Sequence, residues 1–190
     1  FKSLPYDPVK DFVPVRLVGR SPFVIAAAAS FQAKDLGEVI SKAKAQPGSI
    51  AIATEGAKTF SGMLADTVAS MAGVKFNHVP YTKASDALQD VIGGRVQLVC
   101  LPHAALTAYL KGGQVRPLAI STAQRQADMP GVPALSETFA GFEYTGWNGV
   151  FATAGTPAAI VQALNRAINA TLAQTTTKQQ LERIGLGVWT

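Results

Sequence analysis

The stretch from Ile50 to Tyr81, IAIATEGAKTFSGMLADTVASMAGVKFNHVPY, constrains the fold more than any other part of the chain. It reads as a short apolar strand, a small polar loop, a helix, and a second strand ending at Pro80-Tyr81. The loop Thr54-Glu55-Gly56-Ala57-Lys58-Thr59-Phe60-Ser61 opens directly onto the helix. Such a junction aims free backbone N–H groups, the positive end of the helix dipole and one lysine at a single point. That combination suits a carboxylate or another small anion. Nothing beside it equips the loop to transform what it holds.

The same alternation of strand and helix continues on both sides, the mark of an α/β architecture. Phe12 to Val18 and Phe23 to Ala29 read as extended pieces flanking Ser21-Pro22. Asp35 caps a helix whose apolar face is Leu36, Val39, Ile40 and Ala43, with Glu38 completing the capping box and Pro47-Gly48 ending the segment. The helix from Ser61 to Ala72 is expected to bury Met63, Leu64, Val68 and Met71 before Gly73 stops it. Strands follow at Phe76–Val79, Val96–Leu101 and Val115–Ser121, with helices over Ser85–Ile92 and Ala104–Leu110 between them. Gln124 to Pro133 is polar and proline-flanked, a connecting loop. Tyr144–Ala152 is a strand carrying Trp147 and Phe151. A helix capped by Thr156, with Pro157 in its first position, then presents Ile160, Val161, Leu164, Ile168 and Leu172 on one stripe. A last helix over Lys178–Ile184 leads through Gly185 to an extended end at Leu186–Trp189.

Composition removes several classes of function. The 17 Lys and Arg residues outnumber the 12 acidic ones, but they are scattered without a run, so a phosphate-tracking nucleic-acid surface is not indicated. Cys100 is the only cysteine, which excludes an internal disulfide and a thiolate metal site. His78 and His103 have no ligand-type residue at metal spacing, so neither a metal nor any other cofactor is expected. His78 reads as a packed or hydrogen-bonded strand residue, Cys100 as a buried inert thiol, and His103 as a strand-end residue outside any nucleophile–base motif. The phosphate-binding and nucleophile-elbow glycine motifs are missing, and no enzymatic activity is expected. The longest apolar run, Phe23 to Ala29, is far too short to span a bilayer. The chain begins at Phe1 rather than Met, so it reads as a processed or trimmed product in which the missing leader says nothing about export.

The usual place of a lysine is solvated surface, but Lys58 and Lys83 each follow a strand end and precede a helix. In an open α/β sheet, ligands settle outside the carboxyl ends of the strands. Thr54, Glu55, Gly56, Ala57, Lys58, Thr59 and Ser61 on the first corner, and Tyr81, Thr82 and Lys83 on the second, are therefore the candidate ligand contacts. Leu101, at the end of the next strand, and Trp147 are added to them. Trp147 either faces the ligand or packs in a core.

A series of short motifs recurs in one order along essentially the whole chain. They are Tyr6-Asp7-Pro8, Asp11-Phe12, Pro14-Val15, Pro47-Gly48, Gly56 with Thr59, His78-Val79-Pro80-Tyr81 and Gly93-Gly94 with Val96. Arg116 with Leu118-Ala119, Pro130 with Val132-Pro133, Gly141-Phe142-Glu143, Trp147 with Gly149, and Gly155-Thr156-Pro157 complete the series. Together they resemble the Bug/TctC family of periplasmic solute-binding receptors of tripartite tricarboxylate transporters. The resemblance implies a type 2 periplasmic-binding-protein-like fold, with two α/β lobes joined by crossover strands and closing on a small organic acid (a di- or tricarboxylate, or an aromatic acid). It also implies a periplasmic location, no cofactor, no nucleic acid, and delivery to membrane permease subunits or to a sensor.

Three departures from the family pattern stand out. Glu55, Lys58 and Gly62 stand where many members have Ser, Gly and His, and Thr82-Lys83 replaces a common Lys-Gly. Lys58 then contacts the ligand directly, unless Glu55 pairs with it or binds a ligand ammonium. The third departure is length, since family members carry a substantial N-terminal portion that supplies half of the carboxylate cage. On this reading residues 23–120 form the second lobe, 1–22 and 121–190 form a partial first lobe, and hinges lie near Ser21-Pro22 and Ser121-Thr122. The first lobe is then incomplete in this chain, which exposes core surface and binds ligand weakly or not at all by itself. Two alternatives remain: the effector-sensing domain of a LysR-type transcription regulator, and a cytosolic α/β enzyme.

Overall fold

The computed structural model describes residues 4–183 and 185–188. The expected helix end at Ile184 and strand end at Trp189 lie outside the described residues. In chain order the elements are β1 (Phe12–Ser21), β2 (Phe23–Ala28), α1 (Leu36–Ala45), β3 (Ala51–Thr54), α2 (Phe60–Ala72), β4 (Asn77–Pro80), α3 (Ala84–Ile92), β5 (Leu98–Pro102), α4 (His103–Lys111), β6 (Val115–Ile120), α5 (Leu135–Thr138), β7 (Gly146–Thr153), α6 (Ala158–Ala173), α7 (Thr175–Arg183) and β8 (Gly187–Val188). The chain divides into two compact units, Pro22–Gly146 and the pair of segments Phe1–Ser21 and Trp147–Thr190. The first boundary falls at the expected Ser21-Pro22. The second falls at Gly146/Trp147 instead of near Ser121, because Leu135, Phe142 and Tyr144 pack into the core of the larger unit.

The larger unit is a five-stranded sheet in the order β4-β3-β5-β2-β6. Strand β3 runs parallel to β4 and β5, whereas β2 is antiparallel to both β5 and β6. Every residue of β2 is buried, as a strand with both sheet faces covered requires. Its side chains alternate between two apolar clusters: Phe23, Ile25 and Ala27 join α1 and α2, while Val24, Ala26 and Ala28 join α3 and α4. Helices α1 and α2 thus cover one face of the sheet, and α3 and α4 the other.

Local chemistry sets the helix ends. Asp35 accepts the Glu38 amide at 2.8 Å, as expected, but the Glu38 carboxylate reaches back to the Lys34 amide at 2.8 Å, one residue earlier than a capping box predicts. Gly73 ends α2 in the left-handed conformation. The expected apolar face of α2 needs correction: Leu64 and Val68 are buried, but Met63 and Met71 are exposed. The stripe that meets the sheet is Ser61, Leu64 with Ala65, Val68 and Ala72, one turn apart, and the two methionines project off it.

The smaller unit is a three-stranded sheet, β7-β1-β8, with α6 against β1. Helix α6 begins one residue later than expected, with Pro157 as its cap, while the Thr156 hydroxyl turns back to the Thr153 carbonyl at 2.8 Å. Its inner side is Val161, Asn165, Ile168 and Leu172, and the Asn165 amide donates to the Val15 carbonyl at 2.6 Å. Ile160 and Leu164, expected on that stripe, are exposed. Helix α7 starts at Thr175, before the expected Lys178.

Candidate ligand-binding site

The three parallel strands of the larger unit each feed a helix. Strand β3 leads to α2, β4 to α3 and β5 to α4, so three helix N-termini gather along one edge of the sheet. From β3 the chain turns outward to the edge strand β4, with α2 packed on one face. From the adjacent β5 it turns the other way, past β2 to β6, with α4 packed on the opposite face. Connections that diverge from neighbouring strands open a crevice between them, and that is where open α/β sheets hold ligands. The crevice lies between the Thr54–Thr59 turn and the Pro102-His103 corner.

The Thr54–Ser61 turn is wired from within. The Ser61 hydroxyl, fully buried, accepts the Glu55 amide at 3.0 Å and lies 3.1 Å from the Thr59 hydroxyl. The Thr59 hydroxyl donates to the Gly56 carbonyl at 2.6 Å and caps α2 by accepting the Gly62 amide at 3.3 Å. Gly56 adopts φ 129°, open to glycine and strained for a side chain. The turn folds directly onto Gly62, where an added Cβ would stand 2.1 Å from the Gly56 carbonyl oxygen. These bonds consume the Glu55, Gly56 and Gly62 amides. The Phe60 and Ser61 amides, at the start of the helix, have no intrahelical acceptor.

Lys58 is exposed beside those amides, and among the described residues it forms no ion pair. The Glu55–Lys58 pair, one alternative to a direct ligand contact, is not made among the described residues. Instead the Glu55 carboxylate sits 3.4 Å from the Ser61 hydroxyl. Burial raises the Cys100 thiol's pKa, with a smaller push from the Glu55 carboxylate, which locates that charge on the β5 side of the turn. Cys100 is fully buried and inert, as expected.

The second corner is held differently. The Tyr81 hydroxyl donates to Asp90 at 2.7 Å, and Asp90 in turn pairs with Arg95. Burial first, and the Asp90 hydrogen bond second, push Tyr81 up to about 12. The Tyr81 hydroxyl is therefore committed to α3, which leaves Thr82 and Lys83 as the open residues of that corner. Lys83 is the N-cap of α3, with no side-chain cap bond.

Thr54 and Leu101 are fully buried, so they support the crevice from beneath and offer no side-chain surface. Trp147 belongs to the smaller unit. It is 59% exposed and paired with Phe151 at a centroid distance of 6.0 Å, which excludes a core tryptophan.

At the third corner the sequence points to Leu101 but not to the helix start that follows it. Helix α4 has Pro102 as its cap with no side-chain bond, so the amides that follow His103 are free to accept an anion. His103 stands at this N-terminus, its Nδ1 3.7 Å from Asp128. Leu101-Pro102-His103 is a strand-to-helix junction of the same kind as the two recognised in the sequence, but only the strand order shows that it borders β3. Among the described residues no cluster of His, Cys, Asp and Glu could hold a metal ion. No described helix is long and apolar enough to cross a membrane.

Residues 1–190 match the family described as "Tripartite tricarboxylate transporter family receptor". The chain belongs to this family. A UPF0065 protein from the tcbD-tcbE intergenic region of Pseudomonas sp. (strain P51) is 31% identical over 188 residues, 98% of this chain and 56% of the relative. Protein BugT of Bordetella pertussis (strain Tohama I) is 31% identical over 171 residues, 90% of this chain and 52% of that protein. An R. palustris protein solved with adipate superposes with a TM-score of 0.84 at 29% identity, covering 99% of this chain and 63% of its own. MatC from Rhodopseudomonas palustris with bound malate gives a TM-score of 0.83 at 31% identity, covering 99% and 64%. The α/β fold is thus that of the TctC and BugD solute-binding proteins, and this receptor chain spans about half the length of the curated relatives it matches.

Proposed function

We propose that this chain is the ligand-holding part of an extracytoplasmic receptor, located in the periplasm, that captures a small organic carboxylate and delivers it to a tripartite tricarboxylate-type membrane transporter. What supports the reading is the strand order, which sets the β3–α2 and β5–α4 junctions side by side: α4 has no side-chain cap, the first amides of α2 lack intrahelical acceptors, and Lys58 is exposed on the same turn with no ion pair among the described residues. Backbone amides and an ammonium close together stabilise a carboxylate through charge-assisted hydrogen bonds. Adipate and malate, present in two solved relatives, are small dicarboxylates. The contacts assigned to this chain are the Gly56–Ser61 turn, Thr82, Lys83 and the amides after His103. Glu55 rejects a second carboxylate at the α2 end and would favour a ligand ammonium. Capture between two lobes is part of the same proposal. By itself the chain then supplies only half of the cage and binds weakly.

The test is an NMR titration of the chain with adipate, malate and citrate at millimolar concentration. Amide shifts confined to residues 56–62, 82–85 and 103–106 are expected, and Lys58→Met should weaken binding at least about tenfold, roughly 1.4 kcal/mol. Shifts elsewhere, or an unchanged affinity in the Lys58 variant, overturn the assignment. Micromolar binding by this chain overturns the half-cage part alone.

A further inference from the structure

His78 lies on the edge strand β4, outside the crevice, yet it is wired to the ligand turn. Its Nε2 is 2.5 Å from the Thr54 hydroxyl, which also accepts the Gly56 amide at 3.2 Å. Its Nδ1 faces the Asp66 carboxylate of α2 at 3.7 Å. Three groups in line, Asp66, His78 and Thr54, therefore connect the outer wall of the unit to the backbone of the turn.

The contacts favour one arrangement of protons. At 3.7 Å the acceptor-only Asp66 carboxylate is beyond hydrogen-bond reach, but its field favours the tautomer with the ring hydrogen on Nδ1. The neutral ring then presents a bare Nε2, and the Thr54 hydroxyl must donate to it. One hydroxyl lone pair of Thr54 is thereby left facing Gly56, and it takes the Gly56 N–H. Thr54 is fully buried, so its hydroxyl can find no water to substitute for either partner.

Protonation of the ring breaks this order. An Nε2–H can only donate, so the Thr54 oxygen would have to accept from His78 and from Gly56 at once, while its own hydrogen loses its acceptor in a buried site. Either that hydrogen stays unsatisfied, or the hydroxyl rotates and drops the Gly56 amide. The proton can reach the ring from solvent. His78 lines a pocket of about 350 Å³ with Asp66, Ser70, Lys75 and Phe76, and its side chain is 20% exposed. The charged groups facing it are Asp66 from α2 and Lys75 from the turn before β4; Thr54 is its polar partner on β3.

We propose that His78, oriented by Asp66, is a positioning residue for the carboxylate-holding turn, and that its protonation releases the Gly56 amide and loosens the turn. The consequence for ligand rests on the function proposed above, but the relay itself does not. Acidification would weaken carboxylate capture beyond what protonation of the ligand explains.

The decisive experiment is NMR of the ligand-free chain, scanned from about pH 8 to 5, the range in which imidazoles titrate. Ring ¹⁵N shifts should show neutral His78 with its proton on Nδ1. The Gly56 amide shift should follow the His78 titration, and its exchange protection, corrected for the intrinsic rate, should fall about tenfold on the acid side, the worth of one hydrogen bond. His78→Gln, whose carbonyl can accept from Thr54 without titrating, should hold the Gly56 amide in its high-pH state throughout. Asp66→Asn should weaken the preference for the proton on Nδ1. A proton on Nε2 in the neutral ring, a Gly56 amide that ignores the His78 titration, or a transition that survives His78→Gln would each overturn the relay. Because no ligand is present, such a failure leaves the carboxylate-binding reading untouched, and a failure of ligand titration leaves the relay untouched.

Discussion

The two units of this chain bury their apolar residues to very different degrees. The larger unit encloses β2 between two clusters and leaves Met63, Met71 and Ile92 as its exposed large hydrophobics. In the smaller unit Val15 and Leu172 are the only buried hydrophobic side chains among the described residues, while Leu4, Tyr6, Val9, Phe12, Trp147, Val150, Phe151, Ile160 and Leu164 are exposed. Val9 is 83% exposed and Ile160 is 50% exposed. A sheet covered on both faces is a finished core. A three-stranded sheet with two helices that leave most of its apolar side chains exposed is not, and apolar area left in water contributes nothing to stability. The larger unit therefore carries the stability of the chain, and the candidate site is built entirely on it.

The comparison breaks first at single core residues. Ile25→Ala or Leu98→Ala, each removing a fully enclosed side chain from the larger unit, should cost about 2–5 kcal/mol in urea unfolding. Ile160→Ser or Leu164→Ser in the smaller unit should stay within about 0.5 kcal/mol. Equal losses in both units would mean that the smaller unit hides a core, contrary to its exposure pattern.

Gly62→Ala sharpens the link between the stable unit and its site. The added methyl would meet the Gly56 oxygen and the Ala57 backbone at 2.1–2.9 Å, so the turn must lift off α2. A loss of about 1–3 kcal/mol, the range for overpacking, is expected, together with amide shifts at Glu55–Lys58. Gly131→Ala, in open space within the same unit, is the control and should be near neutral.

These contrasts also explain what the sequence could disclose. Strand and helix alternation, the Asp35 cap and the Gly73 stop are local signals, and the structure keeps them. The faces of α2 and α6 were misread because periodicity marks which residues align, not which stripe finds a partner: Met63, Met71, Ile160 and Leu164 are apolar but uncovered. The Lys58 corner was legible because loop and helix start are contiguous. The His103 corner and the Asp66–His78–Thr54 line were not, because they depend on β5 lying beside β3 and on α2 passing over β4, relations between residues distant in sequence. The sequence places residues 121–146 with the other unit because the polar loop after Ser121 looks like a linker, whereas Phe142 and Tyr144 return to the core.

The smallest expected effect concerns that same returning segment. Arg125 clasps Glu137 through two hydrogen bonds of 2.8 and 2.7 Å, and Glu137 also accepts the Ala134 amide at 2.9 Å. The Arg125 bond first, and the Ala134 amide second, depress the Glu137 carboxyl from 4.5 to about 2. A folded-state value below the unfolded one stabilises the protein above the unfolded value, and that contribution disappears as pH falls through the folded value. Glu137 therefore supports the fold at pH 5 and above and stops doing so as pH drops from about 4.5 towards 2. Glu137→Gln should be slightly less stable than the parent at pH 7, and the difference should close over that window. Because both groups are solvent-exposed, the gap should also shrink in high salt. A gap that persists at pH 2 would show that Glu137 acts through packing and not through its charge.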